Sequence, residues 1–405
     1  MLKDREIVLG VTGGIAAYKA AELLRLLVKE DSNVRVIMTK NSQEFIAPLT
    51  FRTLSGFPVF TEMFKLTEES KITHISLADR AEVLVVAPAT ANIIGKIAGG
   101  IADDLLSTVV LATNAPVLIC PAMNVNMYDN AVIKGNIEKL TALGYHFLKP
   151  GLGELACGYE GKGRLAEVED IVEEVKTILS RKDLGGERVL ITAGPTEEII
   201  DPIRFITNRS SGKMGYALAR VALRRGAEVT LISGPTRIPS PRGARLVKVT
   251  SAQEMKKEVL ANFDGASIVV KAAAVADFRP KKITKNKIKK SKADLFLNLE
   301  KTTDILKELG KRKKNRILVG FSAETENLVE NTLKKLKGKN LDLVVANDVS
   351  ASGAGFDVDT NIVKIIDKQG KIEDLPLLGK ERVAEKIWDR VSELMKSREK
   401  QQKPH

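Results

Sequence analysis

Residues 6–19 read EIVLGVTGGIAAYK, an apolar run that passes through three glycines into a helical pattern. Glu6–Gly10 predicts a β-strand and Ile15–Glu30 predicts an amphipathic helix, so the stretch opens a strand–turn–helix unit. A glycine turn at a helix N-terminus offers backbone N–H groups to a phosphate. The turn Gly10-x-x-Gly13-Gly14 is not the G-x-G-x-x-G fingerprint, however, and does not identify a nucleotide. Close packing of the strand against the helix explains the glycines equally well.

The first half of the chain continues this alternation of strands and helices. Further strands are predicted at Val34–Thr39, Glu82–Ala87 and Pro116–Cys120, and further helices at Gln43–Leu54, Asn92–Ala98, Asn130–Leu143 and Val168–Arg181. Continuous apolar strands are typical of parallel strands buried on both faces, so an open, doubly wound sheet is expected. The last helix ends in Lys182-Asp183-Leu184-Gly185-Gly186, a glycine stop that predicts a domain boundary.

The same pattern restarts at Arg188, without a residue-level repeat of the first half. Strands are predicted at Arg188–Thr192, Glu228–Ser233, Ser267–Ala273, Arg316–Gly320 and Leu341–Ala346, and helices at Lys213–Arg225, Gln253–Asn262, Thr303–Lys311 and Asn327–Leu336. A hairpin-like pair, Asn361–Asp367 and Lys371–Leu375, a helix from Lys380 and a frayed tail at Lys396–His405 complete the chain. The predicted fold class is α/β, with two doubly wound, Rossmann-like domains at residues 1–183 and 184–405.

Composition excludes several classes of protein. The 405 residues are 44% hydrophobic and 28% charged, which are globular values. No apolar run reaches the roughly 18 residues of a membrane helix, and the start of the chain lacks the apolar stretch of a secretory signal. Two cysteines do not make a disulfide framework. We therefore expect a cytoplasmic protein that does not enter a membrane.

The net charge of +13 is unevenly placed. Residues 1–183 have a net charge of −3, so the second half carries +16. Much of the excess lies in residues 271–292, where nine Lys or Arg residues accompany one acid, Asp277, and one aromatic, Phe278. A basic loop with so little stacking surface favours a polyphosphate ligand over nucleic acid. A solvated charged loop is the alternative.

Motifs in both halves resemble, in the same order, those of the bifunctional phosphopantothenoylcysteine decarboxylase/phosphopantothenate–cysteine ligases of coenzyme A biosynthesis. The motifs of the first half are Gly10–Lys19, Thr73-His74-Ile75, Ala87–Asn92, Pro121–Met127 and Ala156-Cys157-Gly158. Those of the second half are Ile191–Thr196, Asn208–Gly215, Ala272–Asp277, Lys287–Lys290, Gly320–Thr325 and Ala346-Asn347-Asp348. Each motif is weak alone, but ten or more in order are specific.

For the first half, the resemblance implies a flavodoxin-like, FMN-dependent decarboxylase. Its implied catalytic residues are His74 as the base, Asn124 as the holder of the substrate carboxylate, and Cys157 as the proton donor to the enethiol. A thiol on a glycine-flanked basic loop is of the reactive kind, whereas Cys120 in an apolar strand predicts a buried small hydrophobe. The implied flavin contacts are Gly13, Ile15, Thr39, Ala89, Thr90, Asn92 and Ser107. Tyr128, Tyr159 and Lys162 depart from the family pattern.

For the second half, the resemblance implies a ligase that uses CTP, 4'-phosphopantothenate and L-cysteine. An acyl-cytidylate forms, and the cysteine amine then displaces CMP. Lys287 matches the lysine that stabilises charge on the α-phosphoryl group, Asp277 would help to place CTP with Mg²⁺, and Asn208 would bind the acyl intermediate. Further implied substrate contacts are Lys271, Ala272, Ala273, Thr302, Thr303, Asp304, Ile305, Phe321, Lys335 and Lys339. The family commonly has Asn-Pro where this chain has Thr302-Thr303. A homo-oligomer is implied, with trimer contacts in the flavin half and dimer contacts in the ligase half.

Simpler interpretations accompany these roles. His74 could be an ordinary surface or core histidine, Phe321 a core residue, and Lys335 with Lys339 one solvated helix face. Two other classes of function compete: a nicotinamide oxidoreductase built on two Rossmann-like halves, and a nucleic-acid-binding module that uses the basic half.

Overall fold

The computed structural model describes residues 1–64, 73–154, 160–289, 296–324, 328–348 and 358–402. The chain divides into two compact units, Met1–Ser180 and Arg181–His405. The predicted boundary falls three residues later. Asp183 accepts hydrogen bonds from Arg225 Nη2 (2.6 Å) and Ser392 Oγ (2.9 Å), and these bonds attach it to the second unit.

The first unit is a parallel sheet covered by helices on both faces. Its strands are β1 (Glu6–Val11), β2 (Asn33–Met38), β3 (Val59–Phe60), β4 (Val83–Ala89), β5 (Val117–Pro121), β6 (His146–Phe147), β7 (Gly151–Glu154) and β8 (Glu160–Arg164). Its helices are α1 (Ala17–Lys29), α2 (Pro48–Ser55), α3 (Thr73–Arg80), α4 (Ala91–Gly99), α5 (Leu105–Ala112), α6 (Val125–Asp129), α7 (Ala131–Ala142) and α8 (Val168–Leu179). The sheet order is β3-β2-β1-β4-β5-β6, and β7 pairs with β8 separately. The order reverses between β1 and β4, where folds of this kind bind ligands.

Alternation along the strands builds a core on each face of this sheet. Ile7 and Leu9 pack with α1 and α8, whereas Val8 packs with α4 and α5. All seven residues of β4 are buried. Each fully buried large aliphatic side chain contributes about 1.5–3 kcal/mol.

The second unit repeats this architecture with a larger sheet. Its strands are β9 (Arg188–Ala193), β10 (Glu197–Ile199), β11 (Phe205–Thr207), β12 (Glu228–Ser233), β13 (Arg245–Lys248), β14 (Ile268–Lys271), β15 (Phe278–Pro280), β16 (Leu299–Lys301), β17 (Ile317–Glu324), β18 (Leu343–Asp348), β19 (Thr360–Asp367) and β20 (Ile372–Gly379). Its helices are α9 (Lys213–Arg224), α10 (Ala252–Phe263), α11 (Ile305–Lys311), α12 (Leu328–Gly338) and α13 (Lys380–Gln402). The main sheet has the order β13-β12-β9-β14-β17-β18-β19-β20. Its first six strands are parallel, and β19 and β20 form the predicted antiparallel pair.

The two cores of this unit lie on opposite faces of the sheet. Helices α9 and α13 cover one face, and α10, α11 and α12 cover the other. Trp388, fully buried on α13, donates from Nε1 to Leu218 O at 3.0 Å and fastens α13 to α9.

Two parts of the sequence interpretation were wrong or incomplete. Lys396–His405 was expected to fray, but α13 continues to Gln402, and residues 403–405 lie outside the described part of the chain. Arg398 explains the difference, because it donates to Asn315 O at 2.8 Å and pairs with Asp342 at 2.5 Å. Helix α5 was missed because its sequence, LLSTVVLA, is apolar on most sides and shows no helical stripe. No helix in the described part of the chain is long and apolar enough to cross a membrane.

The close contact between α9 and β9 gives a test of the second unit. A Cβ on Gly215 would lie 2.5 Å from Ala193 Cβ and 3.0 Å from Ala193 Cα. Because a strand backbone cannot move aside as a flexible side chain can, Gly215→Ala should lower the free energy of unfolding by about 1–3 kcal/mol. Urea unfolding followed by the fluorescence of Trp388, the single tryptophan, reports on this unit.

Gly338→Ala is the matched control, since a Cβ there meets no atom within 4 Å. Alanine favours helix over glycine by up to about 1 kcal/mol, so this change should be neutral or stabilising. Equal effects of the two substitutions would contradict the packing argument.

Candidate active sites

A cavity of about 1210 Å³ lies in the first unit where the carboxyl ends of β1, β2, β4 and β5 meet. The loops that follow these strands supply Gly13, Thr39, Thr90 and Asn124 to its lining. This is the crevice in which open α/β sheets bind ligands. Helices α1 and α4 begin at the same edge, so backbone N–H groups and positive dipole ends face the cavity mouth.

Hydrogen bonds between neighbouring loops hold this edge together. Thr12 Oγ1 donates to Pro88 O at 2.7 Å and accepts from Thr90 N at 3.1 Å. Thr90 in turn caps α4 by accepting from Ile93 N. A Cβ on Gly13 would lie 2.5 Å from Asn41 Cβ, so the turn after β1 requires glycine to approach the next loop.

Five of the seven predicted flavin contacts line this cavity: Gly13, Ile15, Thr39, Thr90 and Asn92. The other two, Ala89 and Ser107, are fully buried and do not line it. Ser107 instead completes the capping box of α5 with Asp104, which does line the cavity. The serine hydroxyl is therefore engaged by the helix cap and does not line the cavity.

Sequence reasoning missed other lining residues. Lys96 Nζ lies 2.9 Å from an Asp104 oxygen, and both residues line the cavity. Burial acts to raise the pKa of Asp104, but the Ser107 N–H and Lys96 bring it below its ordinary value. Tyr18, which was also missed, lies beside the predicted Ile15; both line the cavity and are about 60% exposed, which forms an apolar lip suited to a flat aromatic ligand. The D-x-x-S spacing of the cap was the available signal for Asp104.

The structure describes two of the three predicted catalytic residues of this half and places them in different surroundings. Asn124 lines the cavity, and its Oδ1 accepts from Asn126 N at 2.8 Å, which orients the side chain at the start of α6. His74 lies on α3, outside the lining, and its buried Nδ1 has no hydrogen-bond partner among the described residues. Cys157 lies outside the described residues. Cys120 is fully buried, as predicted, and burial raises the pKa of its thiol.

In the second unit, a charged cluster lies at the carboxyl end of β14. Lys271 is only 8% exposed, its backbone pairs with Thr192 and Gly320 in the sheet, and its ammonium forms no hydrogen bond or ion pair with another described residue. Burial lowers the pKa of Lys271 to about 7. Asp304 acts against this change, whereas Lys339 and Lys335 add to it. A buried ammonium with neighbouring cations is a place where a multiply charged anion would be stabilised.

Bonds within the cluster position the other predicted substrate residues. Asp304 caps α11 by accepting from Lys307 N at 3.0 Å, and Lys339 Nζ lies 2.8 Å from its Oδ2. Burial acts to raise the pKa of Asp304, but Lys339 and the cap lower it. Lys335 Nζ donates to Phe321 O at 2.7 Å, so these lysines are not simply one solvated helix face.

The loop after β14 closes one side of this cluster. Thr302 donates from Oγ1 to Ala276 O (2.6 Å) and from N to Asp277 O (2.9 Å), which brings Thr302 and Asp277 together. Asn208 Nδ2 donates to Ala274 O at 3.1 Å. The remaining predicted contacts, Ala272, Ala273, Thr303 and Ile305, belong to the same two segments. Ile305 is 2% exposed in the core, so a ligand could reach its backbone but not its side chain.

Lys287 is exposed on a loop of the second unit. The buried carboxylate of Asp201 anchors its loop by accepting from Ile288 N at 3.2 Å, and Arg204 Nη2 donates to Ile288 O at 2.5 Å. Burial acts to raise the pKa of Asp201, but the N–H groups of Ile203, Ile288 and Arg204 lower it. Sequence reasoning missed this anchor, since an isolated aspartate carries no motif.

The described residues contain no group of three or more His, Cys, Asp or Glu side chains placed to hold a metal ion. Mg²⁺ usually keeps several waters and is shared between one or two carboxylates and the phosphates of a substrate. The single carboxylate of Asp277 fits an ion shared with a nucleotide.

Comparisons with known proteins agree with this two-part organisation. Residues 1–180 match the model of the Flavoprotein family, and residues 184–395 match the DNA/pantothenate metabolism flavoprotein C-terminal domain. Two curated proteins named coenzyme A biosynthesis bifunctional protein CoaBC align over nearly all of the chain. That of Bacillus subtilis is 52% identical over 98% of both chains, and that of Escherichia coli is 42% identical over 96% of this chain and 97% of its own. A crystal structure of a C-terminal domain of the same name covers 53% of this chain and 99% of its own, with 44% identity and a TM-score of 0.47.

The fold and the two matched domains define a flavoprotein joined to a second Rossmann-like enzyme domain. The chain belongs to the family of coenzyme A biosynthesis bifunctional proteins. It combines a phosphopantothenoylcysteine decarboxylase with a phosphopantothenate–cysteine ligase. Membership of this family excludes the nicotinamide oxidoreductase and the nucleic-acid-binding module as the main function.

The lowered pKa of Lys271 makes the stability of the second unit pH-dependent. Between pH 7 and its unperturbed pKa of about 10.5, the unfolded chain holds a proton on Lys271 that the folded chain does not. The free energy of unfolding should therefore rise with pH across this range. Each pH unit within it is worth up to about 1.4 kcal/mol from this residue.

Lys271→Met should remove this contribution. The variant should gain most over the parent below pH 7, where the parent must bury a charge, and the gain should shrink towards pH 10. Urea unfolding followed by Trp388 at pH 6, 7.5 and 9 measures the difference. Lys257→Met, at an exposed lysine on α10, is the control. A stability difference for Lys271→Met that does not vary with pH would contradict the assignment.

Proposed function

We propose that the cavity of the first unit binds FMN and is the site of decarboxylation of 4'-phosphopantothenoylcysteine. Its size, its apolar lip and the helix N-termini at its edge support a flavin with a phosphorylated side chain. FMN, when bound, would supply reversible two-electron oxidation of the thiol-bearing carbon, and the oxidised carbon would then accept the electrons left by the departing carboxylate. Thr39, Thr90 and Asn92 would contact the ribityl and phosphate portions.

The chain's own residues would divide the remaining work. Asn124, oriented by Asn126 N, would hold the substrate carboxylate through its amide, which can bind the group and still let it depart as CO₂. His74 would take the thiol proton, and Cys157 would return a proton to the enethiol product. Since His74 does not line the cavity of its own chain, the proposal includes a trimer in which a neighbouring protomer supplies it.

Subunit mixing tests this arrangement. His74→Asn and Asn124→Ala should each abolish decarboxylation. Random co-assembly of the two variants should restore about a quarter of the sites, because a quarter pair an intact His74 with an intact Asn124. CO₂ release from supplied 4'-phosphopantothenoylcysteine is the measurement, and flavin absorbance is the control for cofactor binding. Two inactive variants that remain inactive when mixed would place His74 and Asn124 in one chain.

We further propose that the charged edge of β14 binds CTP with Mg²⁺, 4'-phosphopantothenate and L-cysteine. The buried, unpaired Lys271 beside Lys335 and Lys339 carries this proposal, since a triphosphate brings the charge that the cluster lacks. The substrate carboxylate would attack the α-phosphate and release pyrophosphate, and the cysteine amine would then displace CMP. Asp277 would share Mg²⁺ with the phosphates, Lys287 would stabilise charge on the α-phosphoryl group, and Asn208 would polarise the acyl carbonyl.

Lys287→Gln should reduce CMP formation by at least 100-fold, because it removes the charge that would act on the α-phosphoryl group. Decarboxylation of supplied 4'-phosphopantothenoylcysteine should be unchanged, since that cavity lies in the other unit. Lys285→Gln, two residues away on the same exposed loop, is the control and should retain CMP formation. Equal loss of CMP formation in both variants would mean that the overall charge of the loop matters, and not Lys287 in particular. Comparable rates of ligation with ATP and CTP would overturn the choice of CTP as the substrate.

A cytoplasmic location for the protein remains a prediction.

A further inference from the structure

A second cavity, of about 390 Å³, lies in the second unit at the edge of the sheet opposite Lys271. Lys313 and Lys314 precede β17, Asn340 and Asp342 precede β18, and Lys368 follows the antiparallel strand β19. These positions are the amino ends of the parallel strands. The cavity therefore lies at the other edge of the sheet from Lys271. Lys335 and Lys339, which act on Lys271, are chain neighbours of the cavity residues Leu336, Lys337 and Asn340.

Five cationic side chains line this cavity, together with one carboxylate. The cations are Lys313, Lys314, Lys337, Lys368 and Arg398. The carboxylate, Asp342, is fully buried and already used. Its Oδ2 accepts from Lys313 Nζ (2.8 Å) and Leu318 N (2.9 Å), and its Oδ1 accepts from Arg398 Nη2 (2.5 Å). Lys314, Lys337 and Lys368 form no ion pair with any described residue.

Helix ends explain only part of this positive charge. Helices α11 and α12 both end near the cavity, and lysines are common at helix C-termini, where the dipole supplies about half a negative charge. The two helix ends and Asp342 together offer about two negative charges against five positive ones. Burial lowers the pKa of Lys313, Asp342 opposes this change, and Arg398 and Lys368 increase it. About three positive charges remain unbalanced.

The backbone around the cavity is also unusual. Lys314 (φ +49°) and Asn340 (φ +52°) are two of the four non-glycine residues with left-handed backbone among the described residues. Such a conformation costs on the order of 1 kcal/mol and persists where surrounding contacts enforce it. Two hydrogen bonds hold Asn340: its Nδ2 donates to Gly310 O at 3.1 Å, and its backbone carbonyl accepts from Lys313 Nζ at 3.0 Å. The backbone at Asn340 is thus held in place by contacts within the protein.

We propose that this cavity is a second anion site, for a compact di- or trivalent phosphate such as pyrophosphate or the phosphate end of a small phosphorylated molecule. The charge excess matches the charge of that anion, and a cavity of this size holds a pyrophosphate but not a nucleic-acid strand. A duplex would need cations along an extended stripe. The site is independent of the proposed chemistry at β14.

Calorimetric titration of the full-length protein with inorganic pyrophosphate, without Mg²⁺ and at low salt, tests the proposal. The variant Lys314→Gln/Lys337→Gln/Lys368→Gln should lose one binding event or weaken it at least tenfold. Lys29→Gln/Lys257→Gln/Lys386→Gln removes the same charge from exposed positions elsewhere and should retain it. Lys335→Gln/Lys339→Gln, which reduces the ligase cluster, should retain it too. Orthophosphate in a parallel titration distinguishes a single phosphate group from a pyrophosphate.

Three outcomes would overturn the site. They are no pyrophosphate binding by the parent, equal loss in the cavity variant and the exposed control, and loss in the ligase-cluster variant alone. Binding of duplex DNA that depends on the three cavity lysines, without pyrophosphate binding, would assign the surface to nucleic acid instead. Unfolding followed by Trp388 checks that each variant is folded. If the triple variant is not folded, Lys337→Gln alone, at an exposed position, replaces it in the titration.

Discussion

The central parallel strands of both sheets are buried on both faces, and this burial decides where polar chemistry can occur. Strand β4 buries all seven of its residues, and β14 buries all four. A polar side chain inside such a layer would lack partners and cost several kcal/mol. Charged and hydrogen-bonding groups therefore collect where the strands end. At the carboxyl edge, helix N-termini add their N–H groups, so both candidate active sites lie on the same kind of edge in two compact units.

Lys271 shows what happens when a charge is placed at the limit of this layer. It is the last residue of β14 and is nearly enclosed, yet no described carboxylate pairs with it. Asp304, the acid with the largest effect on its pKa, is already engaged by Lys339 and by the cap of α11. The protein thus maintains an unfavourable local charge balance that a bound anion would relieve. Such sites are less stable when empty, a common cost of pre-organised binding.

Much of this organisation could be predicted from the sequence, and the reasons are local. Continuous apolar runs and glycine stops identified the two doubly wound sheets, and the glycine turn after β1 located the first cavity. Ser107 shows the limit of position-by-position transfer, because a hydroxyl at N3 of α5 serves the helix cap as well as it would serve a ligand. Asp201 and Asp342 could not be predicted at all. One partner of each, Ile288 for Asp201 and Arg398 for Asp342, is 87 and 56 residues away in the chain, and only the folded backbone brings them together.

The bond between Arg398 and Asp342 also bears on where this chain can be shortened. The conserved family domain ends at residue 395, three residues before the arginine. A chain trimmed at that point would keep every strand and every residue of both candidate active sites, yet it would leave the buried Asp342 with one cation instead of two. Domain limits taken from family models describe what relatives share. They do not mark where the folded unit of an individual protein ends.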